Sequence, residues 1–112
     1  MKKRIGIPIS NGDLCLHFGH TEQFAVFDIE DGKIVNEKFA IPPEHEYGSH
    51  PRFIKEIGCD VILAGGMGIK AQELMKGYDI EIIIGVEKLP PRELVNHYIN
   101  GTLKTGMNRC DH

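Results

Sequence analysis

The sequence predicts an α/β domain: a mixed five-stranded sheet with three helices on both faces, in the order β-β-β-α-β-α-β-α. Three observations predict it. Two short apolar runs, "DVILA" (60–64) and "IEIII" (80–84), are each followed by a segment of helical period, the pattern of parallel strands with right-handed helical crossovers. Upstream, "FAVFDIEDGKIVNEKFAI" divides at Asp31-Gly32, a two-residue hairpin signal. Glycines close the helical segments at Gly58, Gly77 and Gly101.

Taken in order, "RIGIPIS" (4–10) alternates, with Ile5, Ile7 and Ile9 on one face, and runs into an Asn11-Gly12 turn. The hairpin supplies the second and third strands, so the middle strand of the first three is antiparallel. After the polar loop "PPEHEYGSH", Ser49 stands at an N-cap position. Pro51 lies in the first turn of a helix that directs Phe53, Ile54 and Ile57 inward. The run "DVILA" (60–64) is a short apolar stretch after Asp60, as suits a strand covered on both faces. A second helix spans about Ile69–Lys76, with Ala71, Leu74 and Met75 at helical spacing. Pro90-Pro91 opens a third that buries Leu94, Val95, Tyr98 and Ile99. One domain therefore occupies 1–101, and "TLKTGMNRCDH" (102–112) has no period and reads as a flexible tail. Strand one is expected between the hairpin and the fourth strand.

Charge and composition exclude several classes. Thirteen basic against 16 acidic residues give a net charge of -3, and no basic cluster exceeds the "KKR" at 2–4, so no nucleic-acid partner is indicated. No apolar run approaches the roughly 20 residues of a membrane span, and no secretory h-region opens the chain. A cytoplasmic protein without a membrane partner is expected. The cysteines, at 15, 59 and 110, are odd in number and scattered, which argues against a disulfide framework and leaves thiols for packing, redox chemistry or metal.

Ligand-type side chains concentrate in "CLHFGH" (15–20), where Cys15, His17 and His20 fall within six residues. Thiolate and imidazole suit iron, zinc and copper. If 15–17 is extended, Cys15 and His17 project to one side; otherwise the loop is simply solvated, with Phe18 anchoring it. The turn "GGMG" offers Gly65, Gly66 and Gly68 for positive φ and exposed N–H donors, with Met67 as a soft wall; the bland alternative is a tight turn with Met67 in the core. It matches neither phosphate-loop pattern. If strands one and four are parallel neighbours, Cys15–His20, including Phe18 and Gly19, faces Gly65–Gly68 across a crevice. His45 and His50 read as solvated loop residues, and Cys59, at the far end of its strand, as structural. Cys110 and His112 sit on an arm that could fold over a guest. Catalysis is not expected. Asp13, Asp28 and Glu30 are the acids available to a metal-dependent hydrolase, and no acid stands on the fourth strand beside them.

The segments "HFGHTEQFAVFDIEDGKI", "CDVILAGGMGIKAQELMKGYDIEI" and "GTLKTGMNRCDH" resemble, in order and spacing, the dinitrogenase iron–molybdenum cofactor biosynthesis family. The resemblance implies a ribonuclease H-like fold and the binding or carriage of an iron–sulfur or molybdenum-containing cluster. It also implies donor and acceptor proteins as partners, and two chains could share one cluster as a homo-oligomer. Alternatives are a zinc-binding module at the Cys/His residues and the hydrolase.

Overall fold

The computed structural model describes residues 2–42 and 49–106. Its elements follow as β1 (Lys2–Ser10), β2 (Asp13–Leu14), β3 (Gln23–Glu30), β4 (Lys33–Ala40), α1 (Ser49–Glu56), β5 (Val61–Ala64), α2 (Ile69–Gly77), β6 (Glu81–Ile84) and α3 (Pro91–Asn100). The long strands are ordered β4-β3-β1-β5-β6, with β2 folded back on β1. The β1–β3 and β3–β4 pairs are antiparallel, whereas β1–β5 and β5–β6 are parallel. Strand one therefore lies between the hairpin and the fourth long strand, as the sequence predicts.

The expected count of five strands is short by one. Asn11 and Gly12 both take positive φ, 55° and 85°, and turn the chain so tightly that Asp13 and Leu14 pair back onto Ser10 and Ile9. A two-residue strand is too short to show any hydrophobic period.

The sheet buries both faces. On one, Ile5, Ile7, Ile9, Phe27 and Leu63 pack with Leu94 and Val95 of α3. On the other, Phe24, Val26, Ile62 and Ala64 pack with Ile54 of α1 and Met75 of α2. Alternate residues of β5 thus serve opposite layers, which is why that strand is apolar throughout. Each fully buried aliphatic side chain contributes about 1.5–3 kcal/mol. Helices cover both faces, as expected. Among the described residues no helix is long and apolar enough to cross a membrane.

The expected boundary at Gly101 moves outward. The Thr102 N–H donates to the His97 carbonyl at 2.9 Å, Thr105 bridges Val86, and the Gly106 N–H donates to the Gly85 carbonyl at 2.7 Å. Leu103 packs on the α3-side core. A segment without period has found backbone partners where the chain leaves β6, so 102–106 belong to the folded unit. Residues 107–112, with Cys110 and His112, and 43–48, with His45, lie outside the described residues.

Candidate functional site

Because β1 and β5 are parallel neighbours, the segments that follow them leave the sheet at one edge. They are joined directly: the Phe18 N–H donates to the Gly66 carbonyl at 3.1 Å. The loop after β6 joins them through the Leu14 N–H, which donates to the Leu89 carbonyl at 3.2 Å. The 15–20 and 65–68 segments therefore meet at one edge, as the topology predicts, and they pack directly against each other there.

The glycine turn builds this edge by a different route from the one expected. None of Gly65, Gly66 and Gly68 has positive φ, and Gly68 sits at φ -67°, ψ 157° as the N-cap of α2, with no side-chain cap. What Gly65 supplies is close approach. A Cβ there would stand 3.1 Å from Leu16 Cδ2 and 3.3 Å from Leu16 Cα, so glycine lets the 14–16 segment lie against the turn. Met67 does not line the crevice. It is 0% exposed, among Phe18, Ile54 and Met75 in the α1/α2-side core, where an apolar thioether is best solvated by neighbours.

The 15–20 segment is divided between inside and outside. Cys15 is fixed by its N–H to the Pro8 carbonyl at 2.9 Å, and its buried thiol donates to the His17 carbonyl at 3.0 Å. Burial pushes that thiol above the usual cysteine range, opposed in part by the bond to His17. His17 is exposed, so the expectation that Cys15 and His17 project to one side fails: the thiol turns in and the imidazole out. A 3-10 turn, Phe18–His20, then brings the His17 and His20 rings to 5.5 Å between centroids. The Thr21 hydroxyl locks it by donating to the Phe18 carbonyl at 2.5 Å. Phe18 is the anchor, packed at 6.0 Å from Phe24 and 5.7 Å from His50. His50, expected in a solvated loop, is only 3% exposed and forms part of the floor beneath Phe18.

A depression of about 210 Å³ opens here, lined by Ser10, Asn11, Leu14, Cys15, Leu16, His17, His20 and Lys88. Among the described residues no three His, Cys, Asp or Glu side chains stand together as a ready metal cage. Two imidazoles on one tetrahedral ion, with metal–nitrogen bonds near 2.0–2.1 Å, place their centroids roughly 5 Å apart. The separation of His17 and His20 is close to that. Sequence reasoning missed Lys88. Its signal was position, since the loop after the last strand also opens at the carboxyl edge.

The other end of the sheet is tied together around Arg4, beside a hollow of about 300 Å³ that Asp28, Glu30 and Asp60 help to line. Arg4 Nε donates to Asp28 at 2.7 Å and Arg4 Nη1 to the Ile57 carbonyl at 2.5 Å, and the Arg4 N–H bonds Asp60 at 2.8 Å. Cys59 is buried there, against the α1/α2-side core. Asp13 pairs with Ser10 at one end of β1, whereas Asp28 and Glu30 pair with Arg4 and Lys2 at the other, so the three acids of the hydrolase reading are not gathered in one place.

The model for the family described as dinitrogenase iron-molybdenum cofactor matches residues 1–101. An uncharacterized protein, MJ0580, of Methanocaldococcus jannaschii is 31% identical over 85 residues, covering 70% of this chain and 71% of that one. The crystal structure of PH0822 superposes with a TM-score of 0.89 at 28% identity, covering 97% of this chain and 99% of that one. The apo form of the orange protein from Desulfovibrio gigas shares the fold, with a TM-score of 0.75 at 20% identity over 95% and 94% of the two chains.

Proposed function

The chain belongs to the dinitrogenase iron–molybdenum cofactor family, and from that premise we propose that it binds and carries an iron–sulfur or molybdenum-containing cluster at the edge where 15–20 and 65–68 meet. Membership itself supports a role in handling clusters related to that cofactor. The observation that carries the finer reading is the joined edge: Phe18 bonded to Gly66, with His17 and His20 exposed above at 5.5 Å. A carrier must accept and release its cargo, so a shallow rim of a few soft donors suits it better than a closed cage.

The donors divide into ready and reserve. His17 and His20 are accessible as they stand. Cys15 must give up its bond to the His17 carbonyl and lose its proton before its sulfur can ligate. Cys110 and His112 complete the proposed set. Gly106 bonds Gly85, and Gly85 bonds Gly65 at 3.1 Å, so the foot of the tail is tied to the glycine turn. Cys110 is four residues further on in the sequence. We read the protein as a cytoplasmic carrier rather than an enzyme, served by a donor and an acceptor protein. An open site of this kind also permits two chains to share one cluster. The imidazole spacing equally suits a lone zinc ion, which is the second reading.

Purification without oxygen, followed by assay of iron, molybdenum, zinc and acid-labile sulfide, separates these. The carrier reading expects iron or molybdenum with sulfide, lost in the His17→Ala/His20→Ala variant. Zinc without sulfide favours the second reading, and protein that stays metal-free after reconstitution rules out both.

A further inference from the structure

The chain holds two Asn-Gly pairs, Asn11-Gly12 and Asn100-Gly101, and all four residues are exposed. A glycine after asparagine leaves the next backbone nitrogen uncrowded. That nitrogen can then attack the side-chain amide carbon and close a five-membered imide. The two pairs are equally exposed, but their backbones are bonded differently. Asn100 is the last residue of α3, and the Gly101 N–H donates to the Tyr98 carbonyl at 3.3 Å. The Gly12 N–H has no backbone acceptor among the described residues.

The turn at 11–12 is also held lightly. Asn11 and Gly12 take φ 55° and 85°, the left-handed values that a two-residue hairpin turn demands and that asparagine and glycine tolerate best. The pair most reactive toward imide closure is therefore the pair the turn requires. Only the Ile9–Leu14 and Ser10–Asp13 pairs close it. Beyond them Leu14 is buried and bonded to Leu89, so opening is confined to the turn and its short strand. Opening frees rotation about the Asn11 Cα–C bond, which ring closure needs. The Asn11 N–H, donated to Glu22 at 3.0 Å, fixes the residue upstream of that bond.

We propose that Asn11 is a site of self-modification, converted through an imide with Gly12 to aspartate and isoaspartate. The Gly12 nitrogen bonds to Asn11 Cγ, the Cγ–Nδ2 bond breaks, and the proton lost by Gly12 leaves with that nitrogen as ammonia. Water then opens the ring at either carbonyl. One opening gives aspartate; the other gives isoaspartate, whose main chain runs through the former side chain. Either product places a carboxylate on the rim that residue 11 shares with His17, His20 and Lys88. Isoaspartate also adds a backbone carbon to a two-residue turn, so β2 loses its register on β1. This stands apart from the carrier reading and needs no metal.

The test is timed incubation of the full chain in mildly alkaline buffer, followed by tryptic peptide mapping in a mass spectrometer. The two pairs fall in separate peptides, 5–33 and 93–104, and Asn11 is the only asparagine in the first. The samples are the native parent, the parent unfolded in guanidinium, and native Asn11→Gln, whose longer side chain cannot close a five-membered ring. In native protein, peptide 5–33 should change from amide to acid about tenfold faster than 93–104, the protection that one backbone hydrogen bond of typical net strength gives Gly101. Fragment ions should place the change at residue 11 and show both isoaspartate and aspartate. Unfolding should bring the two peptides to similar rates, and Asn11→Gln should abolish the change in 5–33. Native conversion of 93–104 as fast as that of 5–33 overturns the proposal. So does a native Asn11 that stays intact, whether or not it reacts when unfolded, by showing that the turn does not open. Aspartate alone at residue 11 also overturns it, since direct hydrolysis of the amide gives no isoaspartate.

Discussion

Cys15 and Cys59 are both buried thiols, yet their surroundings assign them different work. Cys59 lies in the core at the amino end of the sheet, and burial pushes its thiol up to about 12. Cys15 lies under the crevice loop, one carbonyl away from His17. In native protein at neutral pH, Cys59 should therefore be the last of the two alkylated by iodoacetamide; labelling of Cys59 ahead of Cys15 would contradict the placement. Cys59→Ser should cost about 1–2 kcal/mol, by burying a hydroxyl in an apolar layer, and leave metal uptake alone. Cys15→Ser should lower bound metal, with Cys110→Ser lowering it less. If Cys59→Ser alone abolishes the metal, the crevice is the wrong place. Gly65→Val belongs to the same scale: its side chain would press on Leu14 and Leu16, at a cost of about 1–3 kcal/mol, and displace the segment that presents His17.

Among the elements, β1 is the organiser, and Arg4 is its tie. One side chain and its N–H reach β3 at Asp28, the carbonyl of Ile57 after α1, and Asp60 ahead of β5. Hydrogen bonding from Arg4 holds the Asp28 carboxyl below the usual range. A carboxyl with a depressed folded-state pKa stabilises the fold above its unfolded pKa, and that contribution disappears as pH falls through the folded value. Asp28→Asn should thus lower stability by about 1 kcal/mol at neutral pH, a partly exposed pair being worth no more. The gap to the parent should close below about pH 4. Melting curves across pH measure this, and a gap that persists unchanged in acid would contradict it. Gly85→Ala tests the tail. Gly85 has φ 82°, and a Cβ there would fall on the Gly106 backbone, so the variant should free 102–106 and lower cluster retention while the sheet persists. The long elements were legible because their periods were strong: Ile5, Ile7 and Ile9 alternate, and Pro91 and Gly101 bracket α3. The β2 strand and the 102–106 segment were not, since backbone pairing holds them and it leaves no mark in the order of side chains.

At the scale of the molecule, topology does what composition cannot. Placing strand one beside the fourth long strand gathers Cys15–His20, Gly65–Gly68 and Lys88 at one edge, and leaves Arg4, Asp28 and Cys59 at the other. The meeting of the first two segments could be read from the sequence, because it follows from strand order. Which side chains face the crevice could not. Met67 and Cys15 turn inward because buried neighbours receive them, and Lys88 joins through a backbone bond between Leu14 and Leu89. The central claim is that cargo sits at the carboxyl edge. Its most direct test is the amide NMR spectrum of ¹⁵N-labelled protein before and after anaerobic reconstitution with iron and sulfide. A paramagnetic cluster at the crevice should broaden the amides of Cys15–His20, Gly65–Gly68 and Lys88, while those of Arg4, Glu30 and Asp60 stay sharp. Broadening centred on Arg4 and Asp60, or none where metal is bound, would contradict it.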